Sequence, residues 1–132
     1  TGGHVSESSA VAGAFCWYPV TDLRLPGVVD SPLVDLTAHF LGPDAASVVS
    51  ESSPLTWVHP GCPPVHSVVG DRDRTTPVAM VAEFHAALDV AGVRNRLTVV
   101  AGADHAFDLH GADGNCREEA QEHAESDQHR EF

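Results

Sequence analysis

Two short polar loops carry the residue types of a proton-transfer pair. Asp73 stands in GDRDRTTP (Gly70 to Pro77) and His105 in GADHAF (Gly102 to Phe107), and each loop follows an apolar run. An imidazole that titrates near neutral pH can take a proton from a hydroxyl. A carboxylate on its other ring nitrogen fixes the tautomer and stabilises the imidazolium that forms. Asp73 and His105 are the natural pair, with Asp71 as the competing acid, read as a solvated or structural neighbour. Asp104, His105, Asp108 and His110 crowd one loop, but no HExxH or paired-cysteine signature accompanies them, so no metal site is expected. Ser6, Ser8 and Ser9 lie in a polar link that offers no rigid corner to hold a nucleophile against the base.

Such a pair works only if the fold brings its loops together. Val11 to Val20 (VAGAFCWYPV) is a nearly continuous apolar run closed by proline, the pattern of a strand covered on both faces. Pro64 to Val69 (PVHSVV) is a second run, ended by Gly70, and Leu97 to Ala101 (LTVVA) a third, ended by Gly102. Between the second and third, Pro77 to Ala91 repeats Val81, Phe84 and Leu88 at helical spacing. A proline stands in its first turn and Gly92 comes after its end. Strand, helix and strand in this order make a βαβ unit, which requires parallel strands and a right-handed crossover. The expected fold class is α/β, a three-stranded parallel sheet with flanking helices. In such a sheet the crevice beyond the carboxyl ends of the strands is where sites form, and both loops belong there.

The stretch from Gly27 to Pro63 reads as an excursion between the first and second strands, with a helix at Leu33 to Leu41 entered through Ser31 and Pro32. Trp17 and Tyr18 are expected to pack in the core and at a strand end, His85 to face solvent on its helix, and Cys16 to be a buried small hydrophobe. From Asp113 onward the chain is polar. Residues 113–132 are read as an acidic terminal helix or frayed tail, and 1–112 as the folded domain.

Composition narrows the functional classes. The 132 residues carry 19 acidic and seven basic side chains for a formal net charge of −12, a field that repels nucleic acid and anionic membrane surfaces. No apolar run reaches the ~20 residues of a membrane helix. The chain therefore reads as soluble, with the cytoplasm as its default compartment. Its three cysteines, Cys16, Cys62 and Cys116, fit neither a disulfide framework nor a zinc module.

The ordered set WYPVTDL (Trp17 to Leu23), SPLTWV with Pro63 and Pro64, GDRDRTTP, AALDVAGV (Ala86 to Val93) and GADHAFD (Gly102 to Asp108) resembles the α/β-hydrolase esterases of the hormone-sensitive-lipase and feruloyl-esterase-like kind. The resemblance covers Val11 to Asp108. It implies the C-terminal part of that fold, with Asp73 in the place of the triad acid and His105 in that of the base. The expected reaction is hydrolysis of a small carboxylic ester through an acyl-enzyme, without a cofactor. Thr1-Gly2-Gly3-His4 resembles the residues directly after the nucleophile of a GxSxGG elbow, which places the serine before Thr1 and predicts an inactive chain if these residues stand alone. The short polar link VSESSA departs from the longer apolar helix the family has there. Such a portion would leave the outer edge of the first strand unpaired and open to self-association. Two rivals are a serine peptidase of the prolyl-oligopeptidase type and a non-catalytic hydrolase remnant acting as a binding module.

Overall fold

The computed structural model describes residues 8, 10–24, 39–42 and 44–109. Three parallel strands form one sheet in the order β1 (Ala14–Trp17), β2 (Val65–Gly70) and β3 (Asn95–Val100). Ala14 pairs with Val65 and Trp17 with Val68. Val65 pairs in turn with Asn95, and Gly70 with Val100. A short helix α1 (Ala45–Val48) and a 3-10 turn (Pro54–Trp57) precede β2, and the long helix α2 (Val78–Val90) connects β2 to β3. The three-stranded α/β architecture is thus the one its apolar runs and helical spacing dictate.

Pro77 and Ala91 prove to be the caps of α2. At its end Gly92 adopts φ +72°, its N–H bonds to the Asp89 carbonyl at 3.0 Å and the Val93 N–H to that of Leu88 at 2.9 Å. This paired closure satisfies carbonyls a helix otherwise leaves open, and it needs a residue without Cβ at the left-handed position. Met80, Val81 and Leu88 are buried on the inner face of α2. Each contributes roughly 1.5–3 kcal/mol relative to exposure. Leu88 packs with Val65 and Val93 in one cluster, whereas Val68, Val100, Ala103 and Phe107 form a second, joined by Trp17 and Tyr18.

Several expectations need correction. β1 is shorter than the apolar run: Val11 is exposed, and Tyr18, at φ +35°, leaves the extended region and ends the strand. Among the described residues β1 is an edge strand, and it is not enclosed on both faces: Phe15 is exposed and Cys16 only half-buried. Partial burial still pushes the Cys16 thiol above its ordinary value. β3 starts earlier than expected, at the polar Asn95 and Arg96, because the ladder with β2 extends to Val65 and His66. His85 is buried, not solvent-facing; its Nδ1 lies 2.6 Å from Asn95 Oδ1, an interaction between α2 and the start of β3 that spacing alone does not reveal.

Of the helix expected at 33–41, residues 39–41 are helical and the remainder falls outside the described residues, as does the 113–132 segment. The excursion is fastened to the sheet end by Leu55 N–H on the Thr21 carbonyl (2.9 Å) and Leu23 N–H on Ser53 Oγ (2.9 Å). Asp22 is buried and receives Arg24 through two guanidinium nitrogens at 2.8 and 2.7 Å, which holds its carboxyl below the ordinary value. Among the described residues no helix is long and apolar enough to cross a membrane.

Candidate functional site

β2 and β3 end side by side, and the loops that leave them are stitched together. Asp71 N–H bonds to the Val100 carbonyl at 3.1 Å and Arg72 N–H to that of Ala103 at 2.9 Å. The Asp71 carboxylate accepts the Gly102 N–H at 2.7 Å. Asp71, the competing acid of the sequence, is therefore engaged in holding one loop to the other.

Asp73 comes to rest against His105. Its Oδ2 lies 2.8 Å from His105 Nδ1. Its Oδ1 accepts the Thr75 and Thr76 N–H groups at 2.8 and 2.7 Å, and the Thr76 hydroxyl donates to Oδ2 at 2.8 Å. Four donors converge on two oxygens, about the full accepting capacity of an ionised carboxylate. The side chain of Asp73 is 0% exposed and that of His105 is 32% exposed. A carboxylate so arranged can only accept, so Nδ1 of the neutral imidazole carries the hydrogen and Nε2 the lone pair. The imidazole is set up to receive a proton on Nε2 while a buried negative charge steadies the cation that results.

Two contributors were not legible as site residues. Thr76 supplies both a backbone and a hydroxyl donor to Asp73, and the spacing of Asp and Thr in DRTT was the available signal, since Asp side chains bind backbone N–H groups two and three residues on. Tyr18 is the other. Its ring packs edge-to-face on His105 with centroids 4.6 Å apart, and its hydroxyl donates to Asp108 Oδ1 at 2.9 Å. Burial, the Asp108 acceptor, and the charges of Asp108 and Asp73 push the phenol above its ordinary value and keep it a donor. The expected packing of Tyr18 at a strand end is also met, against the Phe107 cluster that Trp17 joins.

The backbone here is strained. Tyr18 at φ +35° and Ala106 at φ +57° are left-handed without being glycine, and each such residue costs on the order of 1–3 kcal/mol unless its surroundings compensate. They flank the imidazole, one at the end of β1 and the other directly after His105. Asp108 and Asp104, part of the cluster of acids and histidines in the sequence, are engaged separately, Asp108 by Tyr18 and Asp104 by the His105 N–H at 2.7 Å. His110 lies outside the described residues.

A parallel sheet with an acid and a histidine on successive loops at its carboxyl rim matches the corresponding part of the α/β-hydrolase class. Within that class, the Dienelactone hydrolase family model matches residues 6–132, and the chain belongs to this family. It is 30% identical over 112 residues to esterase LipQ of Mycobacterium tuberculosis, a match covering 81% of this chain and 27% of that protein. Among solved structures it resembles the Est2 esterase of Thermogutta terrifontis with butyrate bound. There the TM-score is 0.70 and the identity 26%, over 92% of this chain and 44% of the other. A truncated carbohydrate esterase from gut microbiota shares the fold at TM-score 0.68 and 22% identity, over 79% of this chain and 39% of that one. The chain thus spans about a quarter of the curated relative and less than half of these structures.

Proposed function

We propose that these residues form the acid-and-base portion of a carboxylic-ester hydrolase. The observation that carries the reading is the 2.8 Å contact between a fully buried Asp73 carboxylate and the Nδ1 of a partly exposed His105. The finer kinship with hormone-sensitive-lipase and feruloyl-esterase-like enzymes rests on the motifs from WYPVTDL to GADHAFD. The butyrate bound to Est2 supports a small acyl group as the part of the substrate handled here.

In the proposed reaction a serine hydroxyl from outside the described residues attacks the ester carbonyl, and His105 Nε2 takes its proton. The same proton passes to the leaving alkoxide as the C–O bond breaks, giving alcohol and acyl-enzyme. Water then attacks, losing a proton to His105, and that proton returns to the serine as the acid departs. Asp73 holds the imidazole in one tautomer and offsets its charge in both halves. Backbone N–H groups elsewhere in the fold stabilise the oxyanion.

The test is hydrolysis of a nitrophenyl ester by the whole protein. His105→Ala is expected to lower kcat by at least ~10³-fold, and Asp73→Asn by roughly 10⁴-fold through the wrong tautomer. Undiminished turnover in His105→Ala would sink the assignment. A whole protein that binds small esters but never turns them over would favour a binding module instead. Residues 1–132 contain no G-x-S-x-G turn. Expressed by themselves they are expected to show negligible turnover, and rapid hydrolysis abolished by His105→Ala would overturn that expectation.

A further inference from the structure

We propose that Tyr18, anchored by Asp108, is a positioning residue for His105, so that the end of β1 and the loop after β3 together fix the plane of the imidazole. The inference rests on the reading of His105 as the base.

Asp73 holds the ring at one atom only, which leaves the imidazole free to tilt about that bond. Thr76 Oγ1 lies 3.4 Å from the same nitrogen, whereas Tyr18 packs on the ring itself, at 4.6 Å with an interplanar angle of 62°, and so limits its tilt. The tyrosine is itself held at both ends. Its N–H bonds to the Val68 carbonyl at 2.7 Å and its hydroxyl to Asp108 Oδ1 at 2.9 Å, joining β1 to the chain three residues beyond His105.

The backbone argues that the placement is specific. A residue before proline is pushed toward extended conformations, yet Tyr18 directly precedes Pro19 and takes φ +35°. Packing on the Phe107 cluster does not by itself require the hydroxyl bond. A strained residue tied by its hydroxyl to the histidine loop, with its ring on the histidine, matches the pattern of strain kept where a side chain must be aimed.

The ring also does what an aliphatic side chain cannot: an aromatic pair in edge-to-face contact is attracted beyond the area it buries. The groups facing His105 are Asp73 on Nδ1, Asp104 through the backbone N–H, and Asp108 through Tyr18. Replacing Tyr18 by Phe or by Leu frees Asp108 equally, so the difference between these two variants isolates the ring.

The experiment compares Tyr18→Phe, Tyr18→Leu and Asp108→Ala in the whole protein with nitrophenyl acetate, using His105→Ala as reference. The Leu variant is expected to lose about tenfold in kcat relative to Phe, about the size of one aromatic pair's attraction. Its KM should stay within about twofold, and the acid limb of its kcat/KM profile should be displaced from that of Phe. Phe, which keeps the ring and loses the anchor, should fall between wild type and Leu, and Asp108→Ala, which removes the acceptor of the same bond, should behave like Phe. Leu and Phe variants alike in kcat and in pH profile would overturn the proposal. Should Leu prevent folding by thermal melt, Tyr18→Met serves as the ringless variant. NMR titration of the His105 imidazole in the Phe and ringless variants provides a readout independent of turnover. If His105→Ala keeps full activity the hydrolase reading fails, whereas a shared His105 titration in the two variants defeats the positioning role alone.

Discussion

Gly70 and Ala103 approach so closely that a Cβ on Gly70 would stand 2.2 Å from the Ala103 carbonyl oxygen and 2.6 Å from its carbonyl carbon. Both obstructing atoms are backbone, so no side chain can rotate away. The glycine lets the loop after β3 lie directly over the end of β2, and that overlap brings His105 within reach of Asp73.

Gly70→Ala is therefore expected to push the two loops apart. Overpacking of this kind typically destabilises by about 1–3 kcal/mol, and more when backbone must move. Urea denaturation of the whole protein should show the loss, accompanied by a fall in kcat larger than any change in KM. Wild-type stability in this variant would mean that the loops yield without cost.

Thr76→Val isolates one hydroxyl. Valine preserves the shape of the buried threonine but removes the donor to Asp73 Oδ2, and a hydrogen bond to a charged group is worth about 1.5–3 kcal/mol. A drop of that size is expected in chemical denaturation. Turnover should also fall, because Asp73 loses one of the contacts that fix its oxygens. Unchanged stability would indicate that the backbone N–H groups of Thr75 and Thr76 suffice.

The parallel order of the strands and the course of α2 were legible because apolar runs, helical spacing and Gly92 all obey local rules. The meeting of Asp73 and His105 was legible because strand ends in a parallel sheet converge on one rim. Tyr18 was not, since a tyrosine at a strand end before proline has no spacing that reveals a partner at Asp108. The burial of His85 was hidden for a similar reason: its partner Asn95 lies across a turn, and a polar residue at that helix position ordinarily faces water. A β1 enclosed on both faces requires elements packed over both, which the strand's own residues do not encode, and Phe15 is exposed.

Stability should depend on pH through His66. Burial holds its imidazole below the ordinary value of 6.5, and the nearby charges of Arg96 and His85 act in the same direction. Between the folded value and 6.5 the unfolded chain binds more protons than the folded one, so stability rises with pH across that window and is lost as pH falls through it. His66 Nε2 meets Thr98 Oγ1 at 2.9 Å, a contact that glutamine can reproduce without titrating. Urea midpoints measured from about pH 7.5 downward should fall less steeply for His66→Gln than for wild type. Equal slopes would exclude His66 as a source. Asp22 acts in the same sense at lower pH: Arg24 depresses its carboxyl, so its contribution is present above 3.8 and disappears as pH drops through the lower folded value.

The outer edge of β1 yields the remaining prediction. Ala14 to Trp17 pair with β2 on one side only among the described residues, and Phe15 and Val11 are exposed beside that edge. Unpaired strand N–H and C=O groups flanked by apolar side chains invite another strand, and neither lysine nor an acidic residue lies within AFCW to discourage one. We therefore expect residues 1–132, expressed by themselves, to associate through β1. Net charge of −12 opposes that association, so raising ionic strength should strengthen it by screening the repulsion. Size-exclusion chromatography at low and high salt measures both effects. Phe15→Lys should shift the distribution toward monomer, because a charge at the strand's centre must be desolvated on pairing. A compact monomer at every salt concentration would show that this edge is protected.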